Sequence, residues 1–290
     1  MGGSAVSKVV GIVLNGGHPR ARELALEVVS QLEEAGVRVR VPSVEAAVLD
    51  RQDLGVSIED FAQGLSFAIS LGGDGTMLRA IDLVSSGSAA VLGVNIGQLG
   101  YLTEVEPADL APALKRVLEG DFYISERMLV DVAIEQAGVS GVQHKLALNE
   151  AVLEKTHSGR LVRVGVWING TFFTTYAADG VIVATPTGST AYSFSARGPI
   201  VSPAHHCLVV TPVSPHMLFD RALVLGSNEE IRLEVSDERD IDLIIDGREV
   251  CRLGPGDSVT CTGASQPARI ITFAPRDFHQ VLKTKFGLPS

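Results

Sequence analysis

The hydrophobic pattern of this chain changes near residue 125, and that change sets its fold class. Before it, continuous apolar runs alternate with stretches whose apolar residues recur every three or four positions. Val9-Val10-Gly11-Ile12-Val13-Leu14 is the first run and ends at Asn15-Gly16-Gly17. From Pro19, residues Ala21, Leu24, Ala25, Val28, Val29 and Leu32 share a helical face, Ala35-Gly36 closes the helix, and Val37 to Val41 reads as the next strand. Phe67-Ala68-Ile69 with Leu71, and Ala89 to Val94, are further runs, with a helix expected from Pro107 to Leu118. Strands joined by helices make a parallel sheet covered on both faces, which binds ligands outside the carboxyl ends of its strands. Residues 43 to 62 interrupt the alternation, and their acidic side chains suggest a solvated, mobile connection.

After residue 125 the strands follow one another closely: Met128 to Glu135, Leu146 to Lys155, Val164 to Ile168 and Thr171 to Phe173. Asn169-Gly170 and Asp246-Gly247 are the dipeptides of two-residue hairpin turns. Ile231-Arg232-Leu233-Glu234-Val235 alternates apolar with charged, as a sheet with one wet face requires. Ile270 to Phe273 and a helical Phe278 to Lys285 then return to the earlier pattern. The expected fold is an α/β N-terminal domain with a parallel, Rossmann-like sheet over residues 1–125. A mostly antiparallel, all-β domain follows over 126–268, and a C-terminal segment, 269–290, returns to the first domain.

Charge and composition exclude several classes of function. A net charge of −10 opposes non-specific binding to nucleic acid, which rests on Lys and Arg neutralising phosphates. No apolar run approaches the roughly 18 residues needed to span a bilayer. Met1-Gly2-Gly3-Ser4-Ala5 lacks the pattern of a signal peptide, so a cytoplasmic protein with no membrane partner is expected. The 3 cysteines, Cys207, Cys251 and Cys261, contain no Cys-x-x-Cys pair and read as buried thiols. His205, His206 and His216 lack a carboxylate or cysteine at zinc spacing and read as packing or cleft residues.

Two dense motifs carry chemistry. In Ser70-Leu71-Gly72-Gly73-Asp74-Gly75-Thr76-Met77-Leu78-Arg79 a buried strand enters a glycine turn and then a helix, with Thr76 expected near the N-cap. Gly72, Gly73 and Gly75 leave backbone N–H groups bare at a helix N-terminus, where they and the helix dipole favour a phosphate. Asp74 is the anomaly: a carboxylate among phosphate-binding groups suits a metal ligand or a proton acceptor, although Asp-Gly by itself is also a good turn dipeptide. The spacing matches neither G-x-G-x-x-G nor the P-loop. A second glycine-spaced turn follows at Asn95-Ile96-Gly97-Gln98-Leu99-Gly100-Tyr101. The other dense motif runs from Asp179 to Ser195, where a strand stops at Pro186 and Thr190 to Ala196 forms one or two helical turns lined by donors. Upstream, Asn149-Glu150 interrupts an apolar strand, and the Asn149 amide suits an adenine edge or ribose hydroxyls, offering both donor and acceptor.

Taken in order, Gly72-Gly73-Asp74-Gly75-Thr76, the Gly93 to Tyr101 turn, Asn149-Glu150 and Asp179 through Tyr192 resemble the motifs of bacterial NAD kinases over about residues 65 to 290. The shorter Gly-Gly-Asp-Gly-Thr motif is also similar to that of diacylglycerol and sphingosine kinases. The resemblance implies transfer of a phosphoryl group from ATP, with Mg²⁺, to the 2′-hydroxyl of the adenosine ribose of NAD, producing NADP. Asp74 matches the family's proton acceptor, and Gly75 and Arg79 match positions against the substrate. Asn149, Glu150, Asp179, Thr190, Ala191, Tyr192, Ser193, Phe194 and Ser195 match positions that bind the dinucleotide, while Arg160 and Ser214 align by spacing alone. The resemblance also implies a dinucleotide held between two domains. It implies a homodimer or homotetramer built by the β-rich domain, with a neighbouring chain contributing near Ser214. The sequence departs from the family at Ile96 and Gln98, where polar or basic residues are frequent, and at Arg197, where glycine is usual. Polyphosphate in place of ATP, a lipid kinase, and a non-catalytic regulator that senses NADP are the alternatives. A retained Asp74 argues against the last.

Overall fold

The computed structural model describes residues 8–97, 100–156, 160–275 and 277–289. Met1 to Ala5, Gln98 and Leu99, on which sequence expectations rest, lie outside the described residues. Arg127–Pro267 forms one compact unit, and the described residues on either side form the other.

The first unit begins β1 (Val9–Leu14), α1 (Pro19–Glu34), β2 (Arg38–Pro42), α2 (Ser43–Val48), β3 (Gly55–Val56) and α3 (Ile58–Phe61). It continues β4 (Phe67–Gly72), α4 (Asp74–Val84), β5 (Ala90–Asn95), α5 (Leu110–Glu119) and β6 (Tyr123–Arg127). The second unit holds β7 (Val130–Glu135), β8 (Gln143–Ala147), β9 (Glu150–Lys155), β10 (Val162–Ile168), β11 (Thr171–Ala178) and β12 (Gly180–Ala184). After the short helix α6 (Tyr192–Ser195) come β13 (Cys207–Val213), β14 (Leu223–Gly226), β15 (Ile231–Val235), β16 (Ile241–Ile245), β17 (Arg248–Leu253) and β18 (Ser258–Gly263). The chain then returns to the first unit as β19 (Ala268–Thr272) and α7 (Phe278–Phe286).

In the first unit the strand order is β3-β2-β1-β4-β5-β19-β6. β1 pairs in parallel with β2 and β4, and β5 in parallel with β4 and β19. Every residue of β1, β4 and β5 is buried, as a sheet covered on both faces demands. The second unit contains two six-stranded sheets, β11-β10-β15-β18-β7-β8 and β14-β13-β12-β9-β16-β17, in which the strand pairs are antiparallel. Val132, Val164, Val183, Leu233 and Leu243, one from each of five strands, meet in one apolar core. Asn169 and Gly170 (φ 51° and 73°) and Asp246 and Gly247 (φ 48° and 75°) turn the two hairpins in the left-handed region, as expected from those dipeptides.

Three local expectations are corrected. Residues 43 to 62 are not a solvated connection: α2, the edge strand β3 and α3 occupy them, and Ala46, Leu49, Leu54 and Phe61 pack inward. Those apolar residues are spaced too irregularly to show a period, and the Ser57 hydroxyl caps α3 by accepting from the Asp60 N–H. Thr76 lies near the N-cap, as expected, because α4 starts at Asp74 with Gly73 as its N-cap. There it packs under Gly72, where a Cβ would come within 2.2 Å of its Oγ1. The strand expected from Leu146 to Lys155 breaks in two at Leu148-Asn149. Cys251 is half-buried, unlike Cys207 and Cys261.

Candidate active site

The sheet of the first unit changes direction between β1 and β4: the chain steps outward from β1 to β2 and β3, then returns to lay β4 on the other side. At such a switch point the loops leaving the carboxyl ends of the strands diverge and open a crevice. Asn15-Gly16-Gly17 leaves β1 there and Gly73-Asp74 leaves β4, and the Asn15 N–H donates to the Leu71 carbonyl at 2.9 Å. The chain leaving β5 joins them as the Ile96 N–H donates to the Gly72 carbonyl at 3.0 Å. Asn15 reads in sequence as an ordinary turn residue, and only the strand order puts it at the site.

Asp74 is the first residue of α4 and is half-buried. Its Oδ2 accepts from the Tyr101 N–H at 2.7 Å and its Oδ1 from the Leu102 N–H at 3.0 Å. Each oxygen retains a lone pair, so the carboxylate is held in place yet able to accept a proton or touch a cation. Gly100 makes this possible, since a Cβ there would lie 2.0 Å from Asp74 Oδ1. By contrast, nothing lies within 4 Å of a Cβ built on Gly73 or Gly75, so the backbone around Asp74 is open to an approaching phosphate. Arg79 donates to the Leu14 carbonyl at 3.2 Å and forms an ion pair with Glu45, a carboxylate only 4% exposed. Its guanidinium thereby ties α4 to β1 and α2. Burial, then the nearby Asp74 carboxylate, raises the Tyr101 phenol, and Lys285 stacks 4.9 Å above that ring.

In the second unit, Asn149 and Glu150 form the corner between β8 and β9. The Asp246 carboxylate sits inside this corner, accepting from the N–H groups of Leu148 (2.8 Å), Asn149 (2.8 Å) and Glu150 (3.1 Å). These bonds explain the broken strand, because N–H groups turned toward Asp246 are lost to the ladder. Glu150 is 6% exposed, and burial, followed by the Asp246 charge, pushes its carboxyl up to about 8, against which the Tyr192 N–H acts. The Asp179-to-Ser195 motif leans on the same corner. Thr185 donates its N–H to the Asn149 carbonyl and its hydroxyl to the Leu148 carbonyl, and a Cβ on Gly188 would lie 2.1 Å from the Asn149 oxygen.

The remaining sequence-derived residues divide into internal struts and exposed groups. Ser193 is buried against the Thr211 hydroxyl at 3.0 Å, and the Thr190 hydroxyl donates to the Thr187 carbonyl. Asp179 pairs with Lys155 at 2.5 Å, a partner that sequence reasoning missed. The Tyr192 hydroxyl donates to Glu154 at 3.3 Å, while Phe194, Ser195 and Arg160 are exposed. A cavity of 440 Å³ gathers Tyr192, Ser195, Arg197, Ser214, Asp220 and Arg221 in its lining. Arg197 has φ 66° and Ser214 φ 45°, both left-handed, so the glycine usual in place of Arg197 has a backbone reason. Among the described residues no group of three or more His, Cys, Asp or Glu is placed to hold a metal ion.

Comparison with known proteins finds matches along most of the chain. Residues 10–122 match the family model described as the ATP-NAD kinase N-terminal domain, and residues 148–273 match the ATP-NAD kinase C-terminal domain. The NAD kinase of Moorella thermoacetica is 40% identical over 279 residues, covering 95% of this chain and 88% of its own length. That of Heliobacterium modesticaldum is 39% identical, covering 95% of this chain and 97% of its own. The crystal structure of yeast NADH kinase complexed with NADH superposes with a TM-score of 0.88 at 25% identity, over 98% of this chain and 89% of that one. An NAD kinase from Archaeoglobus fulgidus, in complex with ATP, has the same fold at a TM-score of 0.72 and 24% identity, over 97% of this chain and 100% of that one.

Proposed function

The chain belongs to the ATP-NAD kinase family, and from that premise we propose how its residues divide the work of phosphorylating NAD with ATP to give NADP. The observation that carries the reading is the Asp74 carboxylate, held by two backbone N–H groups in a glycine turn that is otherwise open. Asp74 takes the proton from the 2′-hydroxyl of the adenosine ribose as that oxygen bonds to the γ-phosphorus of ATP, the bridging oxygen leaves, and ADP is released. Carboxylates are weak bases toward alcohols, so most of the rate comes from in-line positioning and from neutralising phosphate charge. Mg²⁺ carried in with the ATP phosphates would supply that neutralisation, and Asp74, whose oxygens keep lone pairs beyond their two N–H partners, would be the residue of this chain to face it.

Asn149 and Glu150 form the corner that binds the nucleoside, with Asp179 and the Thr190 to Ser195 segment completing the dinucleotide contacts. Asn149→Ala should weaken NAD binding by about 1–3 kcal/mol, since buried ligand groups lose partners they cannot replace. Titration calorimetry with NAD measures this directly. An unchanged Kd, with circular dichroism reporting an intact fold, removes the corner from the site.

The functional assembly under this reading is a homodimer or a homotetramer. Its support is the segment Thr211 to Phe219, apolar and marked by prolines, with the Leu218 side chain fully exposed and the Ser214 backbone left-handed. A self-complementary patch generates two-fold pairs first. Light scattering across a dilution series, alongside activity per chain, should show activity falling as the assembly dissociates. A monomer with full specific activity refutes the shared site.

A further inference from the structure

Two carboxyl groups that take no part in the proton transfer meet at the Asn149 corner, Glu150 buried and Asp246 half-buried. Asp246 stands at the tip of the β16–β17 hairpin, in the left-handed region (φ 48°), and accepts from three successive N–H groups nearly one hundred residues earlier in the chain. Glu150 begins β9 with its Oε2 buried and without a hydrogen-bond partner among the described residues. Burial raises the Asp246 carboxyl, while its three N–H donors and Arg248 work toward the charged form, and a charged Asp246 sets a negative charge beside the buried Glu150. Two such neighbours cannot both ionise cheaply.

We propose that Asp246 is the positioning residue of the dinucleotide site: it shapes the Asn149 corner through those three bonds, and the corner keeps its binding shape only while Glu150 stays uncharged. This rests on the reading of Asn149 as a dinucleotide ligand. Ionising Glu150 would place a second negative charge against Asp246, and the hairpin tip would have to withdraw, releasing the Leu148, Asn149 and Glu150 N–H groups. The other groups facing the pair do not reverse this. The Tyr192 N–H favours a charged Glu150 but ranks behind burial and Asp246, while Arg248 draws Asp246, not Glu150, toward its charged form. Glu154 and Asp179, near Tyr192, are themselves acidic. With the Glu150 carboxyl lifted to about 8, the sign is definite: the binding-competent form holds the proton below that pH and loses it above.

Calorimetric titration of the full-length protein with NAD between pH 6.5 and 9.5 (roughly, the span bracketing that value), in buffers of different ionisation enthalpy, tests this without any variant. Affinity should fall as pH rises through the midpoint, approaching about tenfold per pH unit, with proton uptake on binding above it. Flat affinity and no proton uptake overturn the proposal. Asp246→Asn removes the charge and turns one acceptor into a donor. It should weaken NAD binding at pH 7 by about tenfold, raise KM for NAD more than it lowers kcat, and move the midpoint down. Asp246→Glu should restore the pH midpoint toward that of the wild type. A weakened Asp246→Asn whose midpoint does not move makes Asp246 a scaffold alone and also overturns the proposal. Asn149→Ala, run in parallel, separates the two failures: if it too binds normally, the site reading fails, and if it binds weakly while Asp246→Asn does not, the positioning role fails.

Discussion

Asp74→Asn is expected to abolish NADP formation while NAD still binds. The amide has the size of the carboxylate and occupies the same seat at the start of α4, so the crevice keeps its shape. It cannot take a proton from an alcohol, and it carries no charge to set against a phosphate-bound cation. Both Asp74 oxygens now accept backbone N–H groups, from Tyr101 and Leu102. An amide accepts only one of these and presents its own N–H to the other, so local misalignment of about 1–3 kcal/mol adds to the loss of the base. Steady-state turnover and calorimetric titration with NAD, on the same preparation, separate chemistry from binding. Turnover within about tenfold of wild type, a barrier change near 1.4 kcal/mol, would show that Asp74 is not the base.

Gly100→Ala should be nearly as damaging, although residue 100 carries no chemistry. A methyl group there would lie 2.0 Å from Asp74 Oδ1 and 2.7 Å from its Cγ, a distance that no relaxation of the methyl itself can relieve. Either the Asp74 carboxylate swings off the Tyr101 and Leu102 N–H groups or the backbone of Gly100 and Tyr101 backs away, and both displace the base by about 1 Å. Misplacement on that scale costs roughly 10²-fold in rate. The clash should also lower stability by about 1–3 kcal/mol, as other overpacked sites do. Denaturant unfolding reads the stability, and kcat at saturating NAD and ATP reads the placement. A variant whose kcat stays within about threefold would mean that the carboxylate works without its fixed seat, against the geometric demand on a base.

What the sequence determined alone is whatever depends on neighbours a few residues apart. Continuous apolar runs and a helical period separated the α/β region from the β-rich one, because burial on both faces and burial on one face leave different periods. Asn169-Gly170 and Asp246-Gly247 marked their hairpins because few residues tolerate two successive left-handed conformations. Asp74 was visible as a carboxylate out of place in a phosphate-type turn, and the order of the motifs along the chain pointed to the family. Tertiary structure alone decided which charges are buried and what holds the functional groups still. Glu45 reads as a solvated acid and is instead buried against Arg79. Asn15 reaches the Asp74 turn only because β1 and β4 are neighbours in the sheet. Asp246 meets the Asn149 corner across 97 residues of chain, and Asp74 meets Tyr101 across 27. No local window contains both partners of such a contact, and a buried carboxylate takes its ionisation from the groups that folding places around it, not from those beside it in sequence.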